Sequence, residues 1–103
     1  MFCKGTDKLL WNDVPADVRA KYEPTITYQP GGGWNDGIIP YHGWDKVPCM
    51  YLIADNDQAL PPAYQEHFAS IAKCKTTHVS LGHMAMLSGP EQVAEKLIEF
   101  IKS

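Results

Sequence analysis

Apolar and polar positions follow two regimes along this chain, and the change falls near residue 48. Beyond it, "CMYLIA" at 49–54 is an almost unbroken apolar run, the pattern of a short strand covered on both faces. The run stops abruptly at Asp55-Asn56-Asp57. In "PPAYQEHFASIAK", Tyr64, Phe68 and Ile71 fall at i, i+4 and i+7 with two prolines in the opening turn, which predicts an amphipathic helix. "TTHVS" at 76–80 is β-branched and alternating, so it reads as a second strand. The last element, "SGPEQVAEKLIEFI", opens with Ser88 and Glu91 at capping-box spacing, and Pro90 stands near its start. Val93, Ala94, Leu97, Ile98 and Ile101 then form a broad apolar stripe, with Glu91, Glu95, Lys96 and Glu99 mostly off it.

Residues 1–47 lack this regularity. They hold all three tryptophans, a triple glycine and scattered prolines. One helix is predicted, in "NDVPADVRAKY": Asn12 or Asp13 is placed to accept bonds from its free amides, Pro15 suits the first turn, and Val14, Val18 and Tyr22 recur at helical spacing. Pro24 ends it, and the glycines of "PGGGWNDG" at 30–37 predict a loop. The chain therefore divides into a loop-rich segment, 1–47, and a strand–helix–strand–helix unit, 48–103. Strands joined by a helix of this length pair in parallel through a right-handed crossover, and the expected fold class is α/β.

Composition narrows the function classes. A chain of 103 residues suffices for one domain, burying about 65% of its unfolded surface. Net charge is −3 and no basic cluster occurs, which argues against nucleic acid or an anionic membrane as an obligatory partner. The opening "MFCKGTDKLLW" has no apolar core of a secretory signal, and no apolar run approaches the roughly 20 residues a bilayer requires. Three cysteines, an odd number, make a poor disulfide framework. The expectation is a soluble cytoplasmic protein without membrane or nucleic-acid partners.

The candidate chemistry follows from strand direction. Open α/β sheets place ligands beyond the C-terminal ends of parallel strands. Asp55 and Asp57 follow the first strand, and His83 follows the second in "SLGHMAML". Both strand ends share one rim, where a carboxylate can hold an imidazole in one tautomer and stabilise its protonated form. The alternative is structural: the acids cap the next helix and His83 is a turn residue. Met84 and Met86, with Leu87, either line an apolar substrate pocket or pack beneath the last helix. Cys74, His78 and His83 have a spacing zinc could use, but His78 sits mid-strand, so no metal is expected.

"VPCMYLIADNDQALPPAYQ" and "GHMAMLSGPEQVAEKLIEF" resemble the C-terminal part of an α/β-hydrolase, most closely the branch of plant methylesterases and hydroxynitrile lyases. "LWNDVPADV" at 10–18 is similar, more weakly, to the end of that family's cap region. The resemblance implies the tail of an α/β-hydrolase fold preceded by a cap remnant. It also implies Asp57, four residues before Pro61, as the catalytic acid and His83 as the general base, with Asp55 a loop or capping residue. The implied activity is hydrolysis of small esters by a serine–histidine–aspartate triad with no cofactor, with lyase chemistry open on the same scaffold.

The departure is the nucleophile. These enzymes carry it in G-x-S-x-G, ahead of the acid and histidine, and Ser70, Ser80, Ser88 and Ser103 all lie outside such a motif. The chain is therefore expected to be a fragment, inactive alone, whose open sheet edge self-associates or takes a complementary chain. The rival expectation is a non-catalytic interaction module using that same edge.

Overall fold

Two short strands lie side by side and run the same way in the computed structural model, which describes residues 4–32, 37, 40 and 42–103. Cys3 and residues 33–36 of the glycine-rich run lie outside the described residues. Strand β1 (Met50–Ala54) pairs in parallel with β2 (Lys75–Val79), in register from Met50 opposite Lys75 to Ala54 opposite Val79. Helix α3 (Pro62–Ala72) makes the crossover, as the proline-led amphipathic segment predicts. A four-residue turn of helix, α4 (Ala85–Ser88), and the long α5 (Pro90–Lys102) follow β2. Ahead of the sheet come α1 (Thr6–Leu9) and α2 (Ala16–Tyr22). Among the described residues no helix is long and apolar enough to cross a membrane.

The core has two parts. On the α3 side, Ile53 is fully buried and Ala69 nearly so. On the α5 side, Val79, Leu81 and Ala85 cluster, with Leu52 and Val93 packed against them. Beyond Val93, α5 leaves Leu97, Ile98 and Ile101 exposed. Its start also differs from expectation. Ser88 closes α4, and its hydroxyl bonds to the Met84 carbonyl at 3.3 Å. Gly89 therefore takes the N-cap without a side-chain cap, and no capping box forms.

Helix α3 carries the second surprise. Its apolar stripe is left largely uncovered: Tyr64, Phe68 and Ile71 are all exposed, and Gln65 and Ala69 are buried instead. The reason is the edge of β1 away from β2, beside which no strand lies among the described residues. Backbone bonds from Lys75 N to Cys49 O and from Asp55 N to Val79 O turn the odd-numbered residues of β1 toward β2. Residues 50, 52 and 54 then present their backbone groups to the opposite edge. There the Gln65 carboxamide accepts from Ala54 N at 2.9 Å and donates to Ala54 O at 3.0 Å and Leu60 O at 2.8 Å. The side chain substitutes for a strand partner at the rung nearest the site.

Replacing Gln65 by Leu strands Ala54 N–H, Ala54 C=O and Leu60 C=O in a buried place, at about 1–3 kcal/mol. Phe68→Ala, on the exposed face, should cost less than Gln65→Leu in chemical denaturation. Equal costs, or the reverse order, would show that the Gln65 bonds do not hold the β1 edge.

Candidate active site

Pairing between the strands continues past their ends. Asp55 N donates to Val79 O at 2.9 Å, and Asn56 N donates to Leu81 O at 3.0 Å. Asp57 N then turns back to Ala54 O at 3.3 Å. The loops after β1 and β2 are thereby held edge to edge, and their next side chains meet: Asp57 Oδ2 lies 2.9 Å from His83 Nδ1.

The two sequence-based roles of Asp57 are not exclusive, because each oxygen has its own work. Oδ1 accepts from Ala59 N at 2.8 Å and Leu60 N at 2.9 Å, ordering the lead-in to α3. Oδ2 faces the imidazole. The Asp57 side chain is only 6% exposed and that of His83 is 36% exposed, so the acid is fixed and the histidine is reachable. A carboxylate only accepts, so the ring nitrogen it faces carries the proton. Nε2 is then left with its lone pair, and among the described residues no hydrogen bond engages it. This is the arrangement of an oriented general base.

Beside the pair lies a cleft of about 260 Å³, lined by Asp57 and His83 with Leu52, Leu60, Met86 and Val93 among its apolar walls. Met86 is thus part of the wall. Met84 is not among the lining residues; it caps the start of α4, and its carbonyl accepts from Leu87 N and Ser88 N.

Sequence reasoning assigned Asn12 and Asp13 to the wrong task. Helix α2 starts at Ala16 behind Pro15, with no side-chain cap. Asn12 Nδ2 instead donates to Asn56 O at 3.0 Å, next to Asp57, and Asp13 Oδ2 accepts from Gly82 N at 2.7 Å, next to His83. Trp11 and Val14, both buried, anchor the dipeptide on either side. One polar pair therefore ties together the loops that carry Asp57 and His83. Gly82 shows how closely it approaches, since an added Cβ there would press on Asn12 Oδ1 and Asp13 Oδ1. The only sequence signal was the weak resemblance of "LWNDVPADV", which carries no hint of a partner.

Asp55 is a loop residue, one of the two roles expected of it. It caps nothing; its Oδ1 lies 2.7 Å from His78 Nδ1, and Glu66 Oε1 of α3 approaches the other ring nitrogen at 3.2 Å. The Asp55 hydrogen bond, helped by both carboxylate charges, raises the His78 pKa above its ordinary 6.5 against a smaller opposing effect of desolvation. His78 and His83 are thus held by different acids, and Cys74 lies before β2, at the far end of the sheet. Among the described residues, no group of three or more His, Cys, Asp or Glu side chains is placed to share a metal ion.

The model of the alpha/beta hydrolase family matches residues 2–96, and the chain belongs to that family. Two parallel strands with a crossover helix and a terminal helix are consistent with part of that fold. No curated protein matches the chain.

Two outcomes follow from the geometry. Asp13→Ala removes the acceptor of Gly82 N–H, so amide exchange at Gly82 should accelerate while exchange at Ile53, in the strand core, is unchanged; equal rates at Gly82 would contradict the tie. The His78 contribution has a definite sign, because a folded-state pKa above the unfolded value stabilises the protonated form. Its stabilisation is fully present below 6.5 and fades as pH rises through the raised value. Wild type should therefore exceed His78→Gln in thermal stability at pH 5 by more than at pH 9, and a constant difference would contradict the pairing.

Proposed function

We propose that this chain supplies the acid and base of a serine hydrolase acting on small esters, with the nucleophile contributed from outside these 103 residues. The supporting observation is the 2.9 Å contact between His83 Nδ1 and a buried Asp57 beside an apolar cleft. Membership of the alpha/beta hydrolase family supports the class of chemistry, and the two motifs resembling methylesterases favour a small ester.

In this reading His83 Nε2 takes the serine hydroxyl proton as the serine oxygen bonds to the ester carbon. The same proton passes to the departing alkoxide. Water then attacks the acyl-serine, giving its proton to Nε2, and the acid leaves as the serine is reprotonated. Asp57 holds the ring in register and stabilises the imidazolium in both halves. Apolar walls at Leu52, Leu60, Met86 and Val93 exclude water from the acyl group.

A complementation assay tests this. Alone, the chain and its His83→Ala variant should hydrolyse a chromogenic short-chain ester equally slowly. Hydrolysis abolished by His83→Ala would place the nucleophile within these residues. Combined with the preceding sheet segment of a family member, bearing G-x-S-x-G, activity should appear, and Asp57→Asn should lower kcat by about 10⁴. Failure of every such segment to restore activity would contradict the proposal.

The exposed stripes Tyr64–Phe68–Ile71 and Leu97–Ile98–Ile101 favour a compatible second statement: these faces are covered by complementary chain or by a second copy. Size-exclusion chromatography with light scattering should find the isolated chain associated. A monomer that melts cooperatively would contradict it.

A further inference from the structure

The end of the sheet away from Asp57 and His83 holds a pair of thiols that the proposed chemistry does not use. The register runs from Met50 opposite Lys75, and Lys75 N bonds Cys49 O at 3.0 Å. One step back along both chains sets Cys49 opposite Cys74. Neighbouring strands lie about 4.8 Å apart, within the Cα separation of about 4.4–6.8 Å that disulfides span. Registered residues of parallel strands also project from the same face. Here that face turns toward α3, where Cys49 and Cys74 share a cleft of about 520 Å³ with Trp44, Tyr51, Phe68 and Ile71.

Both cysteines are free and half-buried. Cys49 Sγ makes 3.4 Å contacts to the Trp44 and Val47 carbonyls and Cys74 Sγ a 3.8 Å contact to Ala72 O, besides the hydrogen bond between the two thiols. We propose that Cys49 and Cys74 form a reversible disulfide site that staples the starts of β1 and β2 under thiol–disulfide exchange with a small oxidised thiol such as glutathione disulfide. The staple lies at the opposite strand ends from the catalytic pair, so it stiffens the sheet without touching Asp57 or His83.

The order of events follows from the surroundings. Burial, and then the charge of a neighbouring Cys49 thiolate, push the Cys74 pKa up, so Cys74 is a poor first nucleophile at neutral pH. The Cys49 thiolate attacks one sulfur of glutathione disulfide; that S–S bond breaks, a mixed disulfide forms and one glutathione thiolate leaves. Cys74 then loses its proton and attacks the Cys49 sulfur, expelling the second glutathione. Two protein thiols are oxidised by two electrons, and one small disulfide is reduced to two thiols.

The test uses the whole chain carrying Cys3→Ser, which silences the third thiol and leaves the pair intact. After excess glutathione disulfide, free-thiol titration should show both thiols lost, and the mass should fall by two hydrogens with no glutathione attached. The product should be monomeric on a non-reducing gel, and dithiothreitol should restore both thiols. In guanidinium chloride, where register is lost, ring closure should slow by about tenfold or more. In a second measurement on the reduced protein, one phenylarsenoxide per chain should protect both thiols from alkylation. Stable glutathione adducts on both cysteines, disulfide-linked dimers, unreacted thiols or an equal closure rate in denaturant would each overturn the proposal. So would arsenical binding that protects neither thiol.

Discussion

Parallel pairing of β1 with β2 is the constraint on which the other features rest. Chain direction decides where loops emerge, and two strands running the same way must release theirs at one rim. Register then decides which residues meet. With Ala54 opposite Val79, and backbone bonds continuing to Asn56 and Leu81, the loops travel together until Asp57 and His83 come into contact. A slip of one residue would turn the strand side chains to the opposite faces of the sheet, moving Ile53 out of the core. Burial of Ile53 and precise placement of the dyad therefore depend on the same pairing.

Polar groups near the site are satisfied by sharing. Asp57 divides its oxygens between the α3 lead-in and the imidazole, so the turn that starts the helix also orients the acid. Gln65 closes the backbone edge of β1 at Ala54, one turn of chain before that acid. Asn12 and Asp13 bring a distant part of the chain to Asn56 and Gly82, the residues next to Asp57 and His83. A buried polar group left unpaired costs about 1–3 kcal/mol, so each shared bond favours this one arrangement of the loops. The segment before residue 48 is thus part of the site's support as well as a connection.

What the amino-acid pattern discloses depends on how local the determining physics is. The two strands, the crossover helix and the delivery of Asp55, Asp57 and His83 to one rim follow from periodicity and strand direction, both readable over short windows, whereas the choice of Asp57 over Asp55 comes from the family resemblance. The tasks of Asn12, Asp13 and Gln65 do not. Asn and Asp before a helix look like caps, and only the tertiary approach of Gly82 and Asn56 diverts them. Gln65 looks like a solvent-facing position beside the Tyr64–Phe68–Ile71 stripe, and only the unpaired edge of Ala54 draws it inward. Ser88 fails as a cap for a nearer reason: α4 ends on it, leaving Gly89 to open α5. Periodicity reveals that a stripe exists and is silent on which surface covers it.

Asp57 fixes the proton of His83 on Nδ1. Long-range nitrogen–proton correlation spectra of the imidazole, recorded at a pH where the ring is neutral, report the tautomer directly. An Nδ1-protonated ring is expected in the wild-type chain and is lost in Asp57→Ala. A wild-type His83 protonated on Nε2, or a tautomer indifferent to Asp57→Ala, would contradict it.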